Sequence, residues 1–127
     1  MTFLCFYNYL PLNIQESIKT IDNATGKNQP IYYMVNCSHA THFAHIFDDQ
    51  EGKEYIKRIR GLKPNGSKKS HKELNNSSTL DTGDPEEFGR LLVEIRQKAG
   101  PHLNMLAGCC GTDIRHLKET IKLLKSE

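Results

Sequence analysis

The sequence predicts an α/β fold: parallel (β/α) units that make up half of a (β/α)8 TIM barrel. Three observations predict it. Strand-like apolar runs alternate with helical patterns four times, an order that demands a parallel sheet with covering helices. Each unit runs about 25–35 residues, which suits a barrel of about 250 residues, so four units are half of one. No GxGxxG fingerprint follows the first strand, which disfavours a dinucleotide-binding sheet.

Thr2 to Tyr7 is aromatic-rich and reads as the first strand. Ile14 to Ala24 reads as a helix, with Ile14, Ile18 and Ile21 at helical spacing, Asn13 as N-cap and Glu16 at its third helical position. Gly26 closes it, and Pro30 prevents continuation. Ile31 to Asn36 is the second strand. His39 to Asp48 reads as a short helix and Lys53 to Arg58 as another. Arg58 to Leu62 is the third strand, followed by a polar stretch, Lys63 to Gly83, without periodicity. A segment of that length in a compact domain usually means a functional loop. Asp84-Pro85-Glu86-Glu87 is a helix start: Asp as cap, Pro at the first position, acids in the first turn. Phe88, Leu91, Leu92 and Ile95 supply that helix's apolar face. Leu103 to Ala107 is the fourth strand. Asp113 to Lys125 is the last helix, with Ile114, Leu117, Ile121 and Leu124 along one stripe.

The 127 residues allow one modest core. The net charge of +2, from 17 basic and 15 acidic residues, is too balanced to imply nucleic-acid or membrane binding. The basic run Lys63, Lys68, Lys69 and Lys72 has no interleaved aromatics and reads as a solvated loop. Met1 to Leu10 has no basic leader or cleavage site, and the longest apolar run is far short of the roughly 20 residues of a membrane span. The expectation is a cytoplasmic protein with reduced thiols, in which cysteine clusters point to metal or catalysis.

Cys109 and Cys110 are adjacent, lie between Gly108 and Gly111, and follow the fourth strand. Cys37 follows the second. Mid-strand, neighbouring side chains face opposite ways. At a glycine-flanked strand end the backbone can turn, so both sulfurs can face one point. Adjacent cysteines are poor disulfide partners, so the pair faces a shared third group, for which Cys37 is the candidate. Three thiolates with one open position describe a catalytic zinc site, although spacing alone leaves buried structural thiols as an equal reading. Cys5, in the first strand, reads as a small buried hydrophobe.

Val35-Asn36-Cys37-Ser38-His39 and Gly108-Cys109-Cys110-Gly111-Thr112, each after a strand, resemble the homocysteine S-methyltransferase family. The longer segment Tyr32 to Phe43, Arg60-Gly61-Leu62 with the Asn65 to His71 loop, and Asp81 to Glu87 carry the same resemblance. It covers the chain from about Leu10 onward. The resemblance implies a zinc-dependent barrel that moves a methyl group onto the thiol of homocysteine, in methionine biosynthesis. It implies Cys37, Cys109 and Cys110 as ligands of Zn2+, and the four strands as the fifth to eighth of the barrel. The partners it implies are homocysteine and a methyl donor such as S-methylmethionine or S-adenosylmethionine. Residues 1–127 then form the C-terminal half of the domain, and the family's acidic groups for the amino-acid end of homocysteine belong to a separate N-terminal half-barrel. Tyr7-Asn8-Tyr9 departs from the family's acidic residue and glycine, and Ala107 replaces a common glycine.

Around the cysteines, Asn36, Ser38, His39, Asn65, Ser67 and Gly108 are candidates for substrate binding or for supporting the ligands. Asn36 matches the family's asparagine, while Ser38 and His39 could orient the Cys37 loop. Asn65 and Ser67 lie in a loop on the active-site face of a barrel. His39, His42 and His45 read as helix-start and surface histidines before they read as ligands. Two alternatives stand beside the enzyme: a non-catalytic, zinc-binding truncated relic of the family, and a small zinc-stabilised nucleic-acid module. The second lacks the paired CxxC spacings such modules carry.

Overall fold

The computed structural model describes residues 3–6, 14–48 and 53–126. Among them four strands form one parallel sheet in sequence order: β1 (Phe3–Phe6), β2 (Tyr32–His39), β3 (Ile59–Asn65) and β4 (Met105–Leu106). The helices are α1 (Ile14–Thr25), α2 (Lys53–Ile56), α3 (His71–Asn75), α4 (Pro85–Ala99) and α5 (Ile114–Leu124). Sequential parallel pairing with helical crossovers is the expected (β/α) arrangement. The expected Asn13 cap, the Tyr7-Asn8-Tyr9 departure and the surroundings of Cys5 lie outside the described residues and side chains.

Ile18 of α1, Tyr33 and Val35 of β2, Ile59 and Leu62 of β3, Ile95 of α4 and Leu103 make one buried cluster. Full burial of each aliphatic side chain contributes about 1.5–3 kcal/mol. α4 begins as its sequence dictates: the Asp84 carboxylate accepts the Glu86 N–H at 2.9 Å, and Pro85 occupies a position that needs no N–H donor.

At the N-terminal ends of the strands, three polar side chains pair with one another, although Arg58 Nε has no hydrogen-bond partner among the described residues. Tyr33 Oη donates to Asp22 Oδ1 at 2.7 Å, and Arg58 pairs with Asp22 at 3.2 Å. The Arg58 guanidinium also lies 5.3 Å from the Tyr33 ring centre. Burial, then the neighbouring Asp22, holds the Tyr33 phenol well above its ordinary range. This knot ties α1 to β2 and β3.

Three expectations need correction. His39 to Asp48 is not one helix but two 3₁₀ turns, Ala40–His42 and Ala44–Phe47. Phe43 interrupts them at φ −129°, and its N–H reaches back three residues to Ala40 at 3.2 Å. The tight turns let Ala40, Phe43 and Phe47 all reach the core. The stretch from Lys63 to Gly83 is not a wholly irregular, solvated loop either. β3 runs on to Asn65, residues 64 to 67 are buried, and α3 is nucleated by a capping box between Ser70 and Glu73. Lys68 pairs with Glu87 at 2.7 Å and Lys69 with Asp81 at 3.2 Å, while Lys63, Lys68, Lys69 and Lys72 are all exposed, as expected of a solvated basic run.

The third correction concerns α5. Its apolar stripe does not face the described core: Ile114 is 61% and Ile121 50% exposed. The buried face is His116 and Thr120, one turn apart, packed on α4. A side chain at Gly89 of α4 would collide with the main chain of Glu119 and Thr120, so the two helices meet at backbone distance there.

Candidate metal centre

Both candidate ligand loops lie at the C-terminal ends of the strands. On β2, Asn36 pairs with Lys63 while His39 pairs with Asn65, so β2 carries one extra residue over that span. Cys37 sits in this bulge at φ +58°, the only non-glycine residue at positive φ among those described. The sequence places Cys37 after its strand; in the structure it lies inside β2. A left-handed residue without glycine's freedom costs about 1–2 kcal/mol. Such outliers persist where the surroundings hold them, commonly at functional sites. Here the bulge re-aims one side chain out of the strand's alternation.

Cys109 and Cys110 lie just past β4. Cys109 N–H donates to Pro64 O at 2.8 Å, while the Cys109 carbonyl accepts Thr112 Oγ1 at 2.6 Å. The Cys110 N–H donates to Asn65 Oδ1 at 3.2 Å, and its carbonyl accepts the Gly66 N–H at 3.0 Å. The end of β3 thus grips the pair through its main chain. Gly108 leaves room for Thr112, and Gly111 turns the chain at φ +73°. The expected glycine-flanked turn is what lets two successive sulfurs face one point.

Cys37 Sγ lies 3.6 Å from Cys110 Sγ, and Cys110 Sγ lies 3.9 Å from Cys109 Sγ. All three lie within 4.8 Å of one another. A zinc ion with Zn–S bonds of about 2.3 Å and tetrahedral angles spaces its sulfurs by about 3.8 Å. The three thiols therefore outline one face of such a tetrahedron and could hold a metal. Burial, then the two neighbouring thiols, pushes the Cys37 thiol up to about 12. Without a cation it stays protonated at neutral pH, so a metal must displace its proton to bind.

The neighbouring candidates play different parts. Asn36 is buried, and its Oδ1 has no hydrogen-bond partner among the described residues. Ser38 is buried with Oγ 3.3 Å from His42 Nδ1. His39 caps the first 3₁₀ turn, its Nδ1 accepting the Thr41 N–H at 3.3 Å; burial lowers its pKa. His42 and His45 are exposed, and among the described residues no histidine joins the cysteine cluster. Ser67 donates to Asp81 Oδ2 at 2.9 Å and accepts the Lys69 N–H at 3.1 Å, so it braces the loop after β3.

Sequence reasoning missed two supports. One is a backbone junction: side chains at Gly66, Gly83 or Gly111 would collide with the main chain of Thr82, Gly66 and Asp81 respectively. The other is His116, fully buried at the start of α5. Its signal was present, since Asp113 and His116 stand at the spacing of a capping box.

Among the described residues no helix is long and apolar enough to cross a membrane. Comparison with curated proteins and with solved structures gave no match. A family model described as homocysteine S-methyltransferase matches residues 8–124.

Proposed function

The chain belongs to the homocysteine S-methyltransferase family, and from that premise we propose that it is the zinc-carrying half of a barrel that methylates homocysteine to methionine. The observation that carries this reading is the triangle of Cys37, Cys109 and Cys110 sulfurs at the spacing of a zinc coordination face. The family is one of zinc-dependent methyltransferases, and the cysteine cluster is compatible with that. Bound Zn2+ would supply the charge that keeps a substrate thiol ionised at neutral pH and offer it a fourth position.

The chain's own residues do the positioning. Cys37, held by its bulge, and the Cys109-Cys110 pair, held by β3, fix where the substrate sulfur lies. Asn36 Oδ1, buried and unpartnered, is available to accept a hydrogen bond from a donor group of the substrate. With a sulfonium donor such as S-methylmethionine or S-adenosylmethionine, the homocysteine sulfur forms the new S–CH3 bond. The donor's S–CH3 bond breaks, and its electron pair stays on the donor sulfur as a neutral thioether. The thiol proton leaves to solvent before transfer. No protein base is required, only alignment.

In this reading residues 1–127 are the fifth to eighth units, and a separate N-terminal half-barrel closes the sheet and holds the amino and carboxylate ends of homocysteine. The exposed Ile114 and Ile121 on α5, and β4 at the edge of the sheet, support such a partner. We place the protein in the cytoplasm, where thiols stay reduced.

The test is a methionine-formation assay with zinc-loaded chain, each sulfonium donor and homocysteine, with and without a matching N-terminal half. Little turnover alone and restoration by the partner are expected. Robust turnover by the chain alone would refute the half-barrel assignment. Tight zinc binding without turnover in any combination would replace the enzyme with a non-catalytic zinc protein.

A further inference from the structure

We propose that His116 is a positioning residue for the metal centre: its ring locks the Thr82–Gly83 strap onto the backbone that carries Cys110. The inference rests on the metal reading of the three cysteines, and none of the motifs that point to that reading includes His116.

The ring's roles follow from its partners. His116 Nδ1 accepts the Asp113 N–H at 3.1 Å, and a backbone N–H can only donate. Nε2 faces the Thr82 carbonyl at 2.8 Å, and a carbonyl can only accept, so Nε2 carries the hydrogen. Asp113 Oδ1 lies 3.3 Å from Nδ1 and accepts the Arg115 N–H at 2.9 Å; with Nδ1 accepting from the Asp113 N–H, the ring offers that oxygen no hydrogen. The edge of Phe88 against the ring, centres 5.1 Å apart at 85°, fixes its plane. One fully buried side chain therefore closes the N-terminus of α5 and reaches across to a different loop.

That loop packs against the residue that follows Cys110. Asp81, Thr82 and Gly83 pack main chain to main chain on Gly66 and Gly111, with no room for a Cβ at any of the three glycines. Gly66 donates to the Cys110 carbonyl at 3.0 Å, and Gly111 is the next residue after Cys110. Cys110 is itself exposed, and its sulfur lies against the Cys37 and Cys109 sulfurs. Its place depends on its backbone, and that backbone is pressed between the end of β3 and the strap His116 anchors. Losing the anchor leaves the Thr82 carbonyl without its donor and frees the strap to lift from Gly66 and Gly111.

The test compares His116→Leu, which keeps the bulk and loses both hydrogen bonds, with His116→Gln. The glutamine amide can accept the Asp113 N–H and donate to Thr82 at once, as the imidazole does. Co2+ titration, read by the thiolate charge-transfer band, should show about tenfold or more weaker binding for His116→Leu, the scale seen for outer hydrogen-bond partners of metal ligands. His116→Gln should restore both affinity and band position. Tyr33→Phe, at the far end of the sheet, is the control for general destabilisation and should leave the titration unchanged. A second readout uses the metal-free chain: amide exchange at Gly66 and Cys110 should speed up by about tenfold in His116→Leu and not in His116→Gln. Unchanged exchange and unchanged Co2+ affinity in His116→Leu would overturn the inference, as would failure of His116→Gln to rescue. If the unaltered chain binds no Co2+, the metal reading fails instead, and amide exchange still decides whether His116 holds the strap.

Discussion

The two ends of the sheet are built on opposite principles. At the N-terminal ends of the strands, Asp22, Tyr33 and Arg58 join three elements through side-chain hydrogen bonds and an ion pair. At the C-terminal ends, glycines 66, 83 and 111 bring main chain against main chain, and side chains such as Asn65 and Ser67 brace the backbone around the cysteines. Three free thiols converge, and a buried asparagine oxygen lacks a partner. One end joins its elements through side chains, with Arg58 Nε left over; the other carries backbone strain, at Cys37 above all, and aims three sulfurs at one point. Parallel (β/α) sheets place chemistry at the C-terminal end and stability at the other. This chain follows that division within four strands.

Four experiments would break or sharpen the contrast. The largest effect belongs to Cys37→Ser. Zinc affinity should fall by more than the roughly 10–100-fold that loss of an outer partner costs, with the fold retained. Metal analysis after dialysis checks it, and full zinc content in the variant would remove Cys37 from the ligand set.

Next come two glycines at positive φ, one from each end. Gly83→Ala puts a Cβ into the Gly66 carbonyl and should destabilise by about 3 kcal/mol, weakening metal binding with it. Gly26, at φ +51°, has nothing within 4 Å of its would-be Cβ. Gly26→Ala should cost only the left-handed penalty of about 1–2 kcal/mol and leave the metal site alone. Urea unfolding paired with Co2+ titration separates the two outcomes, and equal effects would erase the distinction between the ends.

The third is pH. Burial and the neighbouring thiols raise the Cys37 pKa to about 12 in the metal-free fold. A raised pKa favours the protonated form, so its contribution to metal-free stability is present below the ordinary thiol range near 8.5 and is lost as pH climbs toward 12. Metal binding runs the other way, because it must expel the proton. Apparent zinc affinity should rise by about tenfold per pH unit for each proton released across the neutral range. A chelator competition series from pH 6 to 8 measures the slope, and a flat profile would contradict protonated thiols. The N-terminal knot should show no such slope.

The smallest effect is Tyr33→Phe, at about 1 kcal/mol of stability. The Asp22 carboxylate keeps Arg58 as partner, so no charge is left stranded. Denaturant midpoints check it; a loss of several kcal/mol would show that the phenol anchors more than Asp22.

Much of the fold was legible because local signals agreed. The Asp84-Pro85 start of α4, the apolar runs of β2 and β4, and the isoleucine spacing of α1 each follow from capping or periodicity within a few residues. The 3₁₀ turns after β2 were not legible, since Phe43 and Phe47 look helical in spacing and only their common burial sets the tighter winding. The buried face of α5 misled for a similar reason. Ile114 and Ile121 outrank His116 and Thr120 in hydrophobicity, yet closeness to Gly89 and the Thr82 carbonyl turned the polar pair inward.

The sequence by itself determined the order of the four strands, the starts of α4 and α5, and which thiols could meet. The tertiary structure alone decided that they do meet. Cys37 and Cys110 stand 73 positions apart, and their 3.6 Å separation depends on the β2–β3 register, the one-residue bulge and the grip of Asn65 and Gly66 on the Cys110 backbone. Those are long-range pairings, fixed only when the whole sheet assembles. No local pattern of residues encodes a distance between two loops that only a shared sheet holds side by side.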